Sequence, residues 1–409
     1  MASNTGASVD VLMIGAGPAG AATATLLARE GFHVLAADRS AFPRAKPCSE
    51  FMSPEATRIL HRLGVLARLE RAGGVRLEGL TVRGPRGSRM QGLFRLAGAA
   101  PWRATGLSVQ RDRLDTELLQ AAREAGVVVH EQTALEQLAL DGGIVHGAVL
   151  RRRDGGMLPV TARVVVGADG LRSRVARGIG ALRHGPLRRH AFVTHMRGVE
   201  CAPRQAEMFV WNRGYAGLNP VGHGLTNVAL VVPSSDVAEA RGRKEGFLLE
   251  RCRRDPELAH RLRHAEFVEP VRAVGPFDSH ATRVTAGGAA LVGDAADFLD
   301  PFTGDGIVSA LRGAELLAGV LADALRRDRG TVPARALAPY RRARRRAFAG
   351  KRAVARLIAT AMYAPAFFDH ALDRLTRRGR MAHDLIAVTG ECMPARAVLN
   401  PFFLARAIL

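Results

Sequence analysis

The apolar and polar positions of this chain change period several times, and each change marks an element. Val9 to Ile14 is an almost unbroken apolar run, the pattern of a strand buried on both faces of a parallel sheet. Pro18 to Glu30 then reads as a helix closed by Gly31, and Val34 to Ala37 as a second strand ended by Asp38, so the chain opens with a βαβ unit. Pro54 to Leu66 fits a helix, with Ser53 as its N-cap and Pro54 in the first turn. Residues 75–106 suggest short strands, Gln110 to Ala125 a helix, and Val127 to His130 a strand. Residues 133–165 read as a β-meander with turns at Asp141-Gly142-Gly143 and Asp154-Gly155-Gly156, and Val164 to Gly167 as another buried strand. A second alternating region spans residues 188–233; Phe247 to Arg263 reads as helix, Ala289 to Val292 as buried strand and Gly306 to Leu325 as a long apolar helix. Residues 331–409 are mostly helical in pattern.

At 409 residues the chain is too long for one simple core. The parallel-sheet pieces are interrupted by β-rich stretches, which predicts an α/β protein with a discontinuous Rossmann-like domain (parallel sheet plus β-meander), an inserted mixed-sheet substrate domain and a helical C-terminal region. The boundaries fall at 1–75, 107–183 and 278–330 for the first domain, 76–106 and 184–277 for the second, and 331–409 for the third.

Composition changes this picture little. The hydrophobic share of 47% and charged share of 24% are those of a globular protein. The net charge of +21 raises the question of a polyanion, but no nucleic-acid recognition motif accompanies it. Only Lys46, Lys244 and Lys351 are lysines, an arginine excess more typical of a GC-rich genome than of a polyanion site. The charge concentrates in residues 321–360, with twelve basic and two acidic side chains. There Tyr340 and the arginine run Arg341 to Arg346 are followed by apolar residues from Leu357 to Phe368, a candidate patch for a lipid surface or an acidic carrier protein. The four cysteines form no CxxC pair and no Cys/His group has zinc spacing, so no metal and no disulfide scaffold is expected, and a reducing cytoplasm is the default compartment. The uncharged run Val11 to Ala28 is close to membrane-span length, but its four Gly and Pro residues favour strand, turn and helix; Met1 to Asp10 holds no basic residue, which argues against a signal peptide.

Three short segments carry chemistry. Gly15, Gly17 and Gly20, with Ala19 between them, fit G-x-G-x-x-G: a tight turn, close backbone approach to a pyrophosphate, and close packing of helix on strand. The helix N-terminus then offers partial positive charge to phosphate. Asp38, followed by Arg39, ends the second strand where a carboxylate holds ribose hydroxyls. Val166-Gly167-Ala168-Asp169-Gly170-Leu171-Arg172-Ser173 and Val292-Gly293-Asp294-Ala295, the latter followed by Pro301-Phe302-Thr303-Gly304-Asp305-Gly306, are the other two. No second G-x-G-x-x-G appears, which excludes a separate nicotinamide Rossmann domain.

With these motifs the chain resembles the flavoprotein monooxygenases of the para-hydroxybenzoate hydroxylase type, together with the related geranylgeranyl reductases and flavin-dependent halogenases, over roughly residues 8–330. The resemblance implies FAD as cofactor and NADPH or NADH as reductant. It implies that the Asp169 motif contacts FAD and assists the nicotinamide, that Gly293 and Asp294 hold the ribityl chain, and that Pro301, Gly304 and Gly306 cap a helix under the isoalloxazine. Arg111, with Gln110 before it and a pattern ending at Asp115, would reach toward FAD, and Arg44 would lie near the pyrophosphate. The halogenase segment Trp-x-Trp-x-Ile-Pro is absent; the two tryptophans are Trp102 and Trp211. Lys46-Pro47-Cys48-Ser49-Glu50 resembles the reductases' Lys-Pro-Cys-Gly loop, which makes Cys48 a candidate lining of the substrate cavity. Polar residues of the second sheet, His195, Arg197, Tyr215 and Asn219, would orient a phenol, His195 as a base. The reading is an FAD-dependent, NAD(P)H-consuming monooxygenase of an aromatic or polyketide-type molecule. The alternative is a reductase of alkene bonds in a prenyl or lipid substrate.

Overall fold

The computed structural model describes residues 7–98 and 101–408; the ends of the expected domains at positions 1–6 and 409, and positions 99–100, lie outside it. The first strand, Ala7–Ile14, sits mid-sheet, parallel to Val34–Ala37 on one side and to Met157–Gly167 on the other. Its Val11, Leu12 and Met13 are fully buried, as the apolar run required. Val128–His130 and Ala289–Leu291 extend the parallel sheet at either side. Thr133–Asp141 and Ile144–Arg152 fold back onto Met157–Gly167 as the meander. The meander's last strand and the expected strand Val164 to Gly167 are thus one continuous element. Its first half pairs antiparallel and its second half parallel, which brings it to Asp169 at the carboxyl edge of the sheet.

Twelve helices are described. α1 (Pro18–Arg29) follows the glycine turn. The single helix expected at Pro54 to Leu66 is two, α2 (Pro54–Arg62) and α3 (Leu66–Arg71), because Gly64 takes φ +80° between them. α4 (Arg111–Glu124) and the short α5 (Arg174–Gly178) come next. The helix expected at Phe247 to Arg263 is likewise divided into α6 (Lys244–Cys252) and α7 (Pro256–Arg261), since the Asp255 carboxylate caps a new start at Pro256. α8 (Gly306–Arg327) packs beside α1 against the parallel sheet. α9 (Ala338–Ala361), α10 (Pro365–Arg377), α11 (Arg380–Thr389) and α12 (Pro401–Ile408) complete the chain.

A second sheet orders Glu266–Phe267, Arg189–Arg197, Leu225–Pro233, Gly214–Gly222, Gln205–Trp211, Gly79–Arg83 and Arg89–Leu93. One face, with Phe192, Leu218 and Leu230, is covered by α6 and α7. The opposite face, with Val82, Val193 and Tyr215, shares its core with Phe302 of the 301–306 loop and with Phe368, Leu372 and Ile386 of α10 and α11. The C-terminal helices therefore complete the core of the second sheet instead of standing apart from it.

Candidate active site

The three sequence motifs meet through atoms that leave no room for side chains. Gly15 sits at φ +97°, a conformation that suits glycine, and a Cβ there would lie 2.5 Å from the Ala168 carbonyl oxygen. A Cβ on Gly20 would lie 1.9 Å from the Gly15 oxygen, and one on Gly293 would lie 2.8 Å from Ala19 Cβ. Gly17 is the N-cap of α1 and offers no side-chain cap, so the first N–H groups of the helix stay free for a ligand. The Arg44 guanidinium stands over this end, 3.1 Å from where a Gly17 Cβ would be, with its Nε buried and unpartnered. An open helix N-terminus beside a cation fits a pyrophosphate.

Asp38 is buried and orders the turn: its two oxygens accept from Ala16 N and Ser40 N, each at 2.9 Å. Arg39 beside it is exposed. Arg111 and Arg44 converge on the fully buried Asp115, Arg111 with two hydrogen bonds of 3.0 Å and Arg44 at 3.2 Å. Burial opposes the Arg111 charge, but Asp115 and the Cys48 thiol outweigh it and fix the guanidinium as a cation. Gln110 precedes α4 without capping it.

The second motif is partly structural. One Asp169 oxygen accepts from Arg174 N at 2.6 Å, and Ser173 caps α5 through Ala176 N, while the other Asp169 oxygen is buried without a partner. Burial lifts its carboxyl above the ordinary range. Arg172 donates to the Gly275 carbonyl at 2.7 Å.

Asp294 differs: no hydrogen bond meets its carboxylate among the described residues. Burial pushes its pKa up, and the Lys46 and Arg111 charges pull the other way. Lys46 in turn is held down by burial and supported by Asp294. Its Nζ lies 3.6 Å from the Cβ position of Gly170, so it stands between the second and third motifs. A carboxylate and an ammonium close enough to feel each other's charge, neither hydrogen-bonded among the described residues, fit a chain of hydroxyls such as a ribityl.

After Asp294 the chain runs to Pro301-Phe302-Thr303, and Gly304 turns with φ +63°, its missing Cβ leaving space for the Phe51 ring. Gly306 opens α8. Asp305, at the head of α8, is held by Thr303 at 2.7 Å and by the Lys351 ammonium at 2.8 Å; Lys351 also meets Glu391 and Ser309. α9 thereby anchors the loop.

The second sheet faces these loops in three rows of paired residues. His195, Asn227 and Asn219 form the first, Val193, Ala229, Gly217 and Met208 the second, and Ala191, Val231, Tyr215 and Val210 the third. In the first row Asn227 donates to the Cys48 carbonyl at 2.8 Å and to Glu50 at 3.0 Å, and Asn219 to the Ser49 carbonyl at 2.7 Å and to Ser108 at 2.8 Å. Cys48 Sγ accepts from Glu50 N at 3.3 Å. His195 lies between two carboxylates, Glu50 and Glu269, at 2.7 Å from each. Burial works against its protonation, the two carboxylates outweigh it, and its pKa is raised above the ordinary imidazole value. The two carboxylates thus favour the protonated imidazole over the neutral base expected from the sequence.

In the third row the Tyr215 hydroxyl donates to Asp300 at 2.7 Å, and burial with the Asp300 charge pushes its pKa far up. Asp300 also receives Arg189 at 3.0 Å and Phe302 N at 3.0 Å. Arg189, fully buried, leans on the Ala359 carbonyl and lies under the Tyr363 ring. Between the polar rows, Ala229, Gly217 and Met208 remain half-buried, so the middle row is a shallow apolar floor. Arg197 is exposed at the strand end, one residue past Met196, and is not brought to this floor.

The structure thus gathers Gly15, Gly17, Gly20, Asp38, Arg44, Arg111, Gly293 and Asp294 on one side, and Cys48, His195 and Tyr215 on the other. Arg189, Glu269 and Lys351 had no motif of their own. Glu50, at the end of the Lys46-Pro47-Cys48-Ser49 loop, Asp115, inside the Arg111 pattern, and Asp300, just before Pro301, had sequence neighbours that pointed to them.

Similarity to known proteins extends over most of the chain. The family described as FAD binding domain matches residues 8–355. The chain is 28% identical over 333 residues to a menaquinone reductase of Mycolicibacterium smegmatis, covering 76% of each protein. It is 30% identical over 327 residues to a digeranylgeranylglycerophospholipid reductase of Methanothrix thermoacetophila, covering 77% of this chain and 78% of that one. The solved structure of a myxobacterial chondrochloren halogenase superposes with a TM-score of 0.79 at 23% identity, over 94% of this chain and 97% of the other, a likeness of fold.

Proposed function

This chain belongs to the FAD binding domain family and is an FAD-dependent oxidoreductase, and on that premise we propose that it reduces alkene bonds of an isoprenoid or lipid substrate. One observation carries the reading: of the four side chains that were to orient a phenol, His195, Tyr215 and Asn219 are already engaged and Arg197 stands away from the floor. Tyr215 serves Asp300, Asn219 serves Ser49 and Ser108, and Asn227 serves Cys48 and Glu50, while the accessible floor between them is Ala229, Gly217 and Met208. Such a floor suits a slender apolar chain. Two relatives named for action on a menaquinone and on a geranylgeranyl lipid support the same class.

The fit of the chain to FAD is residue by residue. The α1 terminus with Arg44 would hold the pyrophosphate, Asp38 the adenosine ribose, and Asp294 with Lys46 the ribityl hydroxyls. Bound and reduced by NADPH or NADH, FAD supplies hydride. The chain supplies the proton that completes the addition of two hydrogens, and His195 is the group placed to carry it. It stands at the edge of the floor with both ring nitrogens held by Glu50 and Glu269, so one of these contacts would open for its proton to reach the substrate. The engaged side chains fix the walls.

Aromatic hydroxylation is the second reading, for a specific reason. The Oδ1 atoms of Asn219 and Asn227 are buried without partners, and a phenol hydroxyl is one group that would satisfy such acceptors. Anaerobic incubation of the reduced holoenzyme with a menaquinone, a geranylgeranyl lipid and simple phenols separates the two. The alkene reading expects a product carrying two added hydrogens without O₂. Incorporation of one labelled oxygen from ¹⁸O₂ into a phenol, with no anaerobic product, overturns it.

A further inference from the structure

The arginine run expected to form a docking patch is divided by α9. Arg344 turns inward to Asp297 at 2.7 Å and lies 4.8 Å from the Phe348 ring centroid, while Tyr340 and Phe348, the aromatic residues of this stretch, are buried. The outward arginines of α9 therefore stand on a solvated stripe, where Leu357 near its end is the one exposed large apolar side chain among the described residues of the helix.

The opposite arrangement occurs where α12 lies along α10. A groove of about 590 Å³ opens here, lined by Arg377, Arg378, Arg380, Phe402, Phe403 and Arg406. His370 contacts the Ile408 carbonyl at 2.7 Å, and Arg378 donates to the Arg406 carbonyl, so the two helices run antiparallel. Phe402 thus lies at the Arg378 end of α10 and Ile408 at the His370 end, one turn from Phe367. These three are exposed to 69%, 46% and 40%, and the Arg406 guanidinium covers part of the Phe402 ring at 5.1 Å. The charges on this face are one-sided. Arg374, Arg377, Arg378, Arg380 and Arg406 outnumber the exposed Asp373 and the half-buried Asp384, and Asp384 is already bonded to Gly98 N at 2.7 Å and paired with Arg380 at 4.0 Å. Loss of water, then the Arg374 and Arg406 charges, hold the Arg378 guanidinium below its ordinary value, as expected of cations crowded without an anion.

An exposed aromatic and an exposed aliphatic side chain separated by arginines are poorly served by water and well served by one surface. Apolar tips enter the headgroup layer, and guanidinium groups reach back to phosphate. We infer that the α10–α12 face docks peripherally on an anionic phospholipid surface, with Phe402 and Ile408 inserted and Arg377, Arg378 and Arg406 on the phosphates. The contact is peripheral because no helix among the described residues is long and apolar enough to cross a membrane. An acidic protein helix is less suited, since the exposed apolar side chains Phe402 and Ile408 stand at opposite ends of α12 and do not line the groove together. The inference rests on this surface alone and not on the alkene reading, and its test uses no turnover.

The test is co-sedimentation of the full-length, FAD-loaded protein with vesicles of phosphatidylcholine alone and of phosphatidylcholine mixed with phosphatidylglycerol. Binding to the mixed vesicles only, falling as salt rises, is the expected result. Replacing Arg377, Arg378 and Arg406 together with Gln should lower the partition by roughly a hundredfold, at about fivefold for each arginine. Phe402→Ser should lower it by about tenfold. Changing Arg341, Arg342 and Arg345 to Gln should change nothing comparable. Retained FAD absorbance certifies that each variant is folded. Failure to bind at low salt, equal binding to both vesicle types, or loss on the α9 variant in place of the α12 variants would overturn the inference. So would a dimer in sedimentation velocity that Phe402→Ser dissociates.

Discussion

The two walls of the site are built from different materials. The nucleotide wall is largely backbone: glycines at 15 and 20 let main-chain atoms touch, and those at 17 and 293 make room for Arg44 and Ala19. The substrate wall is side chain on side chain, with Asn219, Asn227, His195, Arg189 and Tyr215 each bonded to a residue far away in the chain. A backbone wall tolerates almost no added atom but survives loss of a polar partner. A side-chain wall tolerates added volume along its floor but is sensitive to the removal of any one partner from a buried pair.

That contrast can be broken most forcefully at Gly20. Gly20→Val would drive a branched side chain into the Gly15 carbonyl, which a Cβ alone already approaches to 1.9 Å. We expect a loss above about 4 kcal/mol and no recovery of FAD-loaded protein, read by thermal unfolding and flavin content. Full flavin content would show that the backbone wall is softer than its geometry.

Next in size is Arg189→Met, which leaves the Asp300 carboxylate buried without its cation. Removing one partner of a buried pair costs about 3–5 kcal/mol, and Asp300→Asn in the same chain should return part of it. Equal stability of the single and double variants in denaturant titration would mean the substrate wall does not depend on this pair.

Asp294→Ala should be milder for the fold and specific for the cofactor. Its carboxylate supports no hydrogen bond among the described residues, so stability of the apoprotein should hold. FAD affinity should fall by about tenfold or more, equivalent to about 1.5–3 kcal/mol, by calorimetric titration. Unchanged affinity would remove Asp294 from the ribityl site.

The smallest effect is a pH dependence at His195. Its pKa is raised above 6.5 in the folded protein, so its ion pairs contribute fully below that value, and the contribution fades as pH rises through the raised value. His195→Gln should flatten the stability-against-pH curve above neutrality, followed by thermal melts across that range. An identical slope in both proteins would show that Glu50 and Glu269 do not hold the imidazolium.

The same division explains what could be read from the sequence. The nucleotide wall is legible because a glycine turn is a local event: Gly15 to Gly20 must bend whatever packs on them, and Asp38 lies one strand away. The central strand Val9 to Ile14 was legible for the same reason, burial on both faces leaving one composition. Gly64 and Asp255-Pro256 broke two expected helices because a single residue with φ above zero, or one cap, overrides an apolar repeat that runs on through it. The substrate wall was not legible. His195 and Tyr215 were visible as polar residues on a strand, but whether each is free or engaged depends on Glu50, Glu269 and Asp300, which the fold delivers from remote segments. Nothing in the spacing of Tyr215 announces that its hydroxyl is closed off by Asp300.

Arg189 has one more consequence, for how the protein can be shortened. The stretch that defines the family ends at residue 355, yet this guanidinium rests on Ala359 and Tyr363, and the sheet around it is sealed by Phe368, Leu372 and Ile386. A fragment trimmed to the family stretch would keep every flavin motif and still expose the greasy back of its substrate sheet. Such a fragment should clump on expression, and the smallest well-behaved piece of this enzyme should extend through α11.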